Sequence, residues 1–258
     1  MEIYQHFRKE ELPFIQQVED WKSHVGTMYE AKLSGFLDPR EREIVTAVVG
    51  ADETVHVAFF GGVPGAERQR ALLYPFYEDA EEGRFQLELF GVDYARKFAE
   101  IHHRDLLGAL TSLGVKRELF GDITVTKDVL QFICAKEIAD FILLNLTKAG
   151  NTSLNIHPIP LSEAVRVEEE WQEDTGFVSS LRLDVVIAAI YRLPRSKVKP
   201  YIERERVKLN WKTTTQPATF VEEGDVISVR GKGRSTLIAL EERSRKGRVR
   251  IIFGRKKD

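Results

Sequence analysis

The chain is poor in residues that build covalent or metal-held scaffolds. Its 258 residues include one cysteine, Cys134, two methionines and three tryptophans. A lone thiol excludes an intrachain disulfide and any multi-cysteine metal site. The histidines, His6, His24, His56, His102, His103 and His157, show no metal-ligand spacing. No metal and no cofactor is therefore expected. Cys134 sits in an apolar stretch without neighbouring basic groups, which reads as a buried thiol rather than a nucleophile. No apolar run approaches the ~18 residues that a membrane span needs. The charged segment from Met1 to Glu11 lacks the apolar core of a signal peptide. These absences point to a cytoplasmic protein with no membrane partner.

What the chain does have is charge, unevenly laid out. Hydrophobic residues make up 43% and charged residues 30%, the balance of a soluble globular protein of one to three domains. The net charge of −2 hides an asymmetry. Phe177 to Asp258 carries 20 Lys+Arg against 9 Asp+Glu, a balance of +11, whereas the residues before it carry 18 against 31, a balance of −13. Two parts of opposite sign are suited to different partners. A basic region attracts phosphate backbones and gains affinity by releasing condensed counterions. The plainer alternative is a basic tail on an ordinary protein.

Hydrophobic periodicity divides the chain further. The first 50 residues read mostly as helix, with Tyr4, Phe7, Leu12, Phe14, Ile15, Val18 and Trp21 near one face. Asp38-Pro39 is an N-cap followed by proline at the first helical position, opening a helix from Arg40 to Val49 that stops at Gly50. Val55 to Phe60 reads as a strand and Pro64 to Leu73 as a helix. Strands are then expected around Phe85 to Gly91, Gly121 to Thr126, Val129 to Ala135 and Ser153 to Ile159. Helices are expected from His103 to Leu113 and from Glu137 to Ala149, the latter closed by Gly150-Asn151. The order β-α-β-β-α-β is that of a split βαβ, ferredoxin-like domain, an arrangement shared by many RNA-recognition modules. The expected fold is α+β: an N-terminal helical or mixed region over 1–80, an RRM-like domain over 81–162, a connector over 163–179 marked by Glu168-Glu169-Glu170, and a basic domain with a basic C-terminal extension over 180–258.

The segment from Ser180 to Gly231 is the best patterned. Leu183, Val186, Ile187 and Ile190 can share the buried face of one helix, and Arg195-Ser196-Lys197 opens a second with Val198, Tyr201 and Ile202 apolar. Val207, Leu209 and Trp211 alternate with Lys208, Asn210 and Lys212, the period of a half-buried strand. Val221 to Gly224-Asp225 reads as a turn, and Val226, Ile227 and Val229 as a closing strand. This order resembles the RNA-binding domain first known from small-subunit ribosomal protein S-four, the alpha-L motif. The match is carried by Arg182-Leu183-Asp184, Arg195-Ser196-Lys197, Ile202 to Val207, Asn210 and Gly224-Asp225-Val226-Ile227. The resemblance implies RNA contacts from Arg182, Arg195, Ser196, Lys197, Lys199, Arg204, Arg206, Lys208, Asn210, Lys212, Arg230 and Lys232. It assigns structural roles to Asp184, Gly224 and Asp225, with Asp184 orienting a basic neighbour or capping the helix. Pro194 replaces the usual serine. Pro200 inside the second helix is expected to kink it or shorten its first turn. Glu205 stands where the family has glycine, which argues against a strict left-handed turn. Tyr201 and Trp211 read as core-packing rather than base-stacking residues.

The whole chain resembles the YlmH family of bacterial RNA-binding proteins. The resemblance is carried by Phe36-Leu37-Asp38-Pro39-Arg40-Glu41, His103 to Leu110, Gly114-Val115-Lys116-Arg117-Glu118 with Gly121-Asp122-Ile123, and Ser179 to Asp184. It implies association with the large ribosomal subunit, through its ribosomal RNA and tRNA, and a part in rescuing stalled subunits that carry peptidyl-tRNA. Arg104, Lys116 and Arg117 form a candidate second RNA patch, with a solvated helix face as an equal reading. His103-Arg104-Asp105 lacks the glycine-rich loop and Asp-Phe-Gly of a kinase. Phe59 to Gly65 lacks the following unit of a nucleotide-binding fold. The single Arg-Leu-Asp belongs to the small basic domain, which argues against a pseudouridine synthase. No catalytic residue is therefore assigned. A protein-binding adaptor on the ribosome, docking ribosomal proteins through the acidic part, and an accessory of an RNA-modifying enzyme are the alternatives.

Overall fold

The computed structural model describes residue 7 and residues 9–165, 171–243 and 248–256. Tyr4 and the acidic run Glu168-Glu169-Glu170 lie outside the described residues. The chain forms two compact units, Met1–Val167 and Glu168–Asp258.

The first unit opens with α1 (Leu12–Met28), which ends where Tyr29 turns left-handed at φ 57°. β1 (Lys32–Leu37) follows. The helix α2 (Pro39–Val49) starts as its sequence dictates: the Asp38 carboxylate accepts from the Glu41 N–H at 3.0 Å, and the Glu41 carboxylate accepts from the Asp38 N–H at 2.7 Å. β2 (Val55–Phe60) and β3 (Gln69–Pro75) complete an antiparallel sheet of order β1-β3-β2. Val18, Val25, Val45, Val49 and Leu73 form the core between helices and sheet. One expectation fails here. The first 50 residues are mostly helix, with β1 between the helices, but the stretch Pro64 to Leu73 is no helix, because Gln69–Pro75 is the central strand. A short apolar run such as Ala71-Leu72-Leu73 fits either element; pairing on both sides, by β1 and by β2, makes it a strand.

A 3-10 turn (Glu82–Phe85) leads to β4 (Leu87–Asp93), α3 (His103–Ser112), β5 (Phe120–Val125), β6 (Leu130–Ala135), α4 (Ala139–Asn145), the short pair β7 (Lys148–Ala149) and β8 (Thr152–Ser153), and β9 (Asn155–Ile159). The four long strands make one antiparallel sheet of order β5-β6-β4-β9. The expected helix over Glu137 to Ala149 stops at Asn145, and Gly150-Asn151 turns a small hairpin instead of closing the helix. Alternate residues of β4 and β6 serve two cores. Phe90, Phe132 and Cys134 pack with Leu106, Leu110 and Ile142 of the helices. Leu89, Ile133 and Ala135, on the opposite face, pack with Phe36, Leu161 and Ala164. Burial pushes the Cys134 thiol up to about 12, so it stays protonated and inert at neutral pH.

The second unit is one antiparallel sheet of order β10-β15-β14-β13-β11-β12 with two helices on one face. Its elements are β10 (Trp171–Val178), α5 (Leu183–Ile190), α6 (Arg195–Glu203), β11 (Val207–Leu209), β12 (Lys212–Thr213), β13 (Val226–Val229), β14 (Gly233–Arg243) and β15 (Val249–Lys256). Val186, Ile187, Ile190, Val198 and Ile202 bury one side of the helix pair against Val207, Ile227, Leu237, Ile251 and Phe253. The expected connector is partly structural: Trp171 to Asp174 already belong to β10, paired with β15. The basic tail is no appendage either, since β14 and β15 are a long hairpin inside the sheet.

Two local expectations are corrected. The alternating run Val207 to Lys212 is two strands, because Asn210 (φ 48°) and Trp211 (φ 62°) both turn left-handed and reverse the chain. Two consecutive positive φ values are what a two-residue hairpin needs, and asparagine suits the first. Glu205 keeps the left-handed turn at φ 58° without glycine. The backbone around it is fixed by Glu205 N–H to the Ile202 carbonyl and Arg206 N–H to the Tyr201 carbonyl. The helix α6 begins at Arg195 and runs through Pro200 to Glu203. Pro200 lacks the N–H that would reach back to the carbonyl four residues earlier, so one helical donor is missing.

Candidate nucleic-acid interface

The basic site grows from the junction of α5 and α6. The first N–H groups of α5 are closed by its own chain: Leu183 donates to the Thr219 carbonyl at 2.8 Å and Asp184 to the Pro217 carbonyl at 3.1 Å. Asp184, in the first turn, is buried at 5% exposure. It accepts from Arg182 Nε at 3.1 Å and Nη2 at 3.3 Å, and from Arg195 Nη2 at 2.6 Å. Burial works to raise this carboxyl's pKa, but the hydrogen bonds from Arg182 and Arg195 outweigh it and hold the group below the usual carboxylate range. One anion thus ties two exposed guanidinium groups across the helix junction and leaves each with donors free for a phosphate.

Around this clamp, Arg195, Ser196, Lys197, Lys199, Arg204 and Arg206 stand exposed on α6 and the turn after it. Lys199 shares its charge with Glu203 at 3.5 Å. Arg206 lies over the Tyr201 ring at 5.9 Å, and its carbonyl accepts from the Arg230 N–H, which brings Arg230 and Lys232 to the same end of the sheet. Among the described residues, Lys197, Arg204, Lys208, Lys212, Arg230 and Lys232 have no carboxylate within salt-bridge reach. Asn210 is internal to the fold: its side chain donates to Asp225 at 2.7 Å and accepts from the Val226 N–H at 2.8 Å. Gly224 takes φ 86° at the turn, and Asp225 accepts from the Glu222 N–H. Lys208 does not join the helix-side group. It sits directly opposite Ser228, which in turn faces Arg234, so Lys208 and Arg234 share the sheet face away from the helices. Arg234, which lies over the Trp211 ring at 5.4 Å, carries no signal in the sequence that separates it from other cations.

The candidate second patch is not brought together. Arg104 opens α3 and Lys116 follows its far end, separated by roughly 12 Å of helix. Arg104 lies 3.9 Å from Asp105 and Lys116 lies 3.7 Å from Glu118. Arg117 turns inward, donates to the carbonyls of Phe120 and Gly121, and lies 4.4 Å over the Phe120 ring. Burial, aided by repulsion from Arg68, pushes its pKa down to about 10, still charged at neutral pH. The sheet of this region offers no open reading face either, because Leu89, Ile133 and Ala135 are covered by Phe36, Leu161 and Ala164.

Comparison with known proteins accords with this geometry. A profile described as the putative RNA-binding domain in YlmH matches residues 80–163, and the S4 domain profile matches residues 181–227. The ribosome-associated protein quality control protein P2 of Bacillus subtilis (strain 168) is 44% identical over 258 residues, covering 99% of both chains. The chain belongs to the YlmH family. Among solved structures, the cell division protein ylmH from Streptococcus pneumoniae is 28% identical, covers 64% of this chain and 99% of its own, and superposes with a TM-score of 0.55. The family's S4 domain falls on the helix pair and strands that carry the Asp184 clamp. Among the described residues, no helix is long and apolar enough to cross a membrane.

Proposed function

We propose that this YlmH-family protein binds structured RNA of the large ribosomal subunit, ribosomal RNA or tRNA, without catalysing a reaction, as part of ribosome-associated protein quality control. The observation that carries the reading is the buried Asp184 holding Arg182 and Arg195 at the head of an exposed cationic helix. Phosphates fit the remaining donors, and the N-terminal end of α6 adds its positive dipole. The B. subtilis relative's name supports the cellular setting. The central region, 81–162, is read as ferredoxin-like, supported by its element order and the strand order β5-β6-β4-β9. With its sheet face covered, it serves as a scaffold rather than as a single-strand reader.

The test is a titration of the full-length protein against large-subunit RNA at several salt concentrations. Changing Arg195 and Lys197 together to alanine is expected to weaken binding about tenfold or more and to flatten the log Kd against log salt line by about one to two units. Unchanged affinity and slope would remove the assignment.

A second reading, docking of a protein partner by the acidic first unit, is favoured by one observation. Met28, Tyr29, Phe76 and Tyr77 are all exposed, with the Tyr29 and Tyr77 rings 6.4 Å apart and Phe76 and Tyr77 5.3 Å apart, beside exposed Glu30, Glu53 and Asp79. Ribosome association that survives RNase digestion but is lost in a Phe76→Ala/Tyr77→Ala variant would favour it.

A further inference from the structure

The loop that closes α5 holds a side chain that neither the fold nor the cationic clamp uses. Its backbone is pinned against the helix start: Leu183 donates to Thr219, Val221 donates to Leu181 at 2.9 Å, and Arg182 and Phe220 form an isolated antiparallel bridge between them. Strand alternation then fixes the side chains. Val221 is fully buried, and Phe220 points outward with 70% of its surface exposed. Thr219 donates from its hydroxyl to the Gln216 carbonyl at 2.9 Å, which braces the loop from the other side. A solitary exposed phenylalanine is ordinary on a loose loop, but this one is held rigidly and directly across from Arg182. The neighbouring rings are engaged: Tyr201 carries the Arg206 guanidinium and Trp211 carries that of Arg234. Phe220 has no ring or cation partner among the described residues. Of the nearby carboxylates, Asp184 is held by Arg182 and Arg195, Asp225 accepts from the Glu222 N–H and the Asn210 side chain, and Glu223 is turned toward the Leu240 N–H.

A flat apolar face fixed next to phosphate-binding cations matches a nucleotide whose base is free to leave the helix. Base-on-aromatic stacking of this kind tolerates any base, because each has a π-face. We propose that Phe220 is the stacking platform for one unpaired nucleotide, so that the RNA taken by this protein carries a bulged or looped-out base beside the Arg182–Arg195 clamp. The proposal rests on the RNA-binding reading above and narrows its ligand from structured RNA in general to a helix interrupted by an extruded base. Phenylalanine has no hydrogen-bonding group, so base identity matters little at this position while base availability matters a great deal.

The test uses the full-length protein and two RNA hairpins that differ only in one bulged 2-aminopurine. The wild type is expected to bind the bulged hairpin about tenfold more tightly than the paired one and to change the 2-aminopurine emission on binding. Phe220→Ala is expected to lose that preference and the emission change, with the salt slope unaltered because no phosphate contact is removed. Phe220→Trp is expected to keep both. Circular dichroism and thermal melting verify that the exposed substitution leaves the fold alone. Equal wild-type affinity for the two hairpins, or a Phe220→Ala variant that binds the bulged hairpin like the wild type, overturns the proposal. If Phe220→Ala is silent while Arg195→Ala/Lys197→Ala weakens both hairpins, only the stacking role fails. If the double variant is silent as well, the RNA-binding surface itself is misassigned.

Discussion

The two compact units put the same side chain to opposite uses. In Met1–Val167, Arg42, Arg68, Arg70 and Arg117 are turned inward as structural ties. Arg70, at 4% exposure, donates to the Ser34 carbonyl at 2.7 Å and to the Gln86 carbonyl at 3.1 Å, and grips Glu137 through two bonds of 3.1 and 2.9 Å. Arg68 donates to the Phe36 carbonyl, Arg42 to the Glu67 carbonyl, and Arg117 to the carbonyls after β5 begins. In Glu168–Asp258, Arg195, Lys197, Arg204 and Arg206 stand in solvent, and the buried Asp184 holds Arg195. A guanidinium bonded inward to carbonyls or a carboxylate cements a fold; one held by a single anion at its edge is ready for a phosphate. Charge counting by segment therefore locates an RNA-binding surface only when the cations it counts face outward.

Removing the most committed cation gives the largest expected effect on this contrast. Arg70→Ala removes a donor from the Ser34 and Gln86 carbonyls and from the half-exposed Glu137 carboxylate, empties the space of a large buried side chain, and is expected to cost about 3 kcal/mol, measured by denaturant unfolding. The folded fraction should keep wild-type RNA affinity. A neutral Arg70→Ala would mean that inward arginines do not hold the first unit together.

Next comes the anion that holds Arg182 and Arg195. Asp184→Asn is expected to cost about 1–3 kcal/mol at neutral pH. Because the folded-state pKa of Asp184 lies below its unfolded value, the wild-type advantage is fully present above about pH 4 and is lost as pH falls through the folded pKa. Melting temperatures of the two proteins should converge as the pH falls below the ordinary carboxylate range. A constant difference down to that range would show that the carboxylate's charge is not the source.

Smaller effects sharpen the contrast. Arg104→Ala/Lys116→Ala removes two exposed cations that already face carboxylates, and is expected to change RNA affinity less than about threefold, through the general field alone. A loss comparable to that of Arg195→Ala/Lys197→Ala would restore the second patch. Smallest of all, Glu205→Gly relieves a left-handed residue with a Cβ while adding chain entropy to the unfolded state. Its net gain should not exceed about 1 kcal/mol, a rise of a few degrees in melting temperature.

Parts of this molecule were legible wherever neighbours along the chain do the work. Asp38, Pro39 and Glu41 form a complete helix start within four residues, and α2 begins there. Leu183, Val186, Ile187 and Ile190 repeat at helical spacing, and all are buried. The β4-α3-β5-β6-α4-β9 order was readable because each element carries its own period. Gln69–Pro75 was not, since its strand character comes from two partners supplied from elsewhere. The long β14–β15 hairpin was hidden for a similar reason: a run rich in arginine reads as a tail until β10 and β13 give its strands something to pair with. Glu205 misled because its left-handed turn is imposed by backbone bonds rather than by a permissive residue.

By itself the sequence determined the sign and place of the charge, the start of α2, and the Arg182-Leu183-Asp184 and Arg195-Ser196-Lys197 runs at the heads of α5 and α6. Only the tertiary structure decided which arginines are ties and which are contacts, that one face of the central sheet is sealed by Phe36, and that Phe220 stands bare beside Arg182. The physical reason is range. Propensity, capping and charge act between near neighbours, whereas a guanidinium's fate is set by a carboxylate or carbonyl that can lie 67 residues away, as Glu137 does from Arg70.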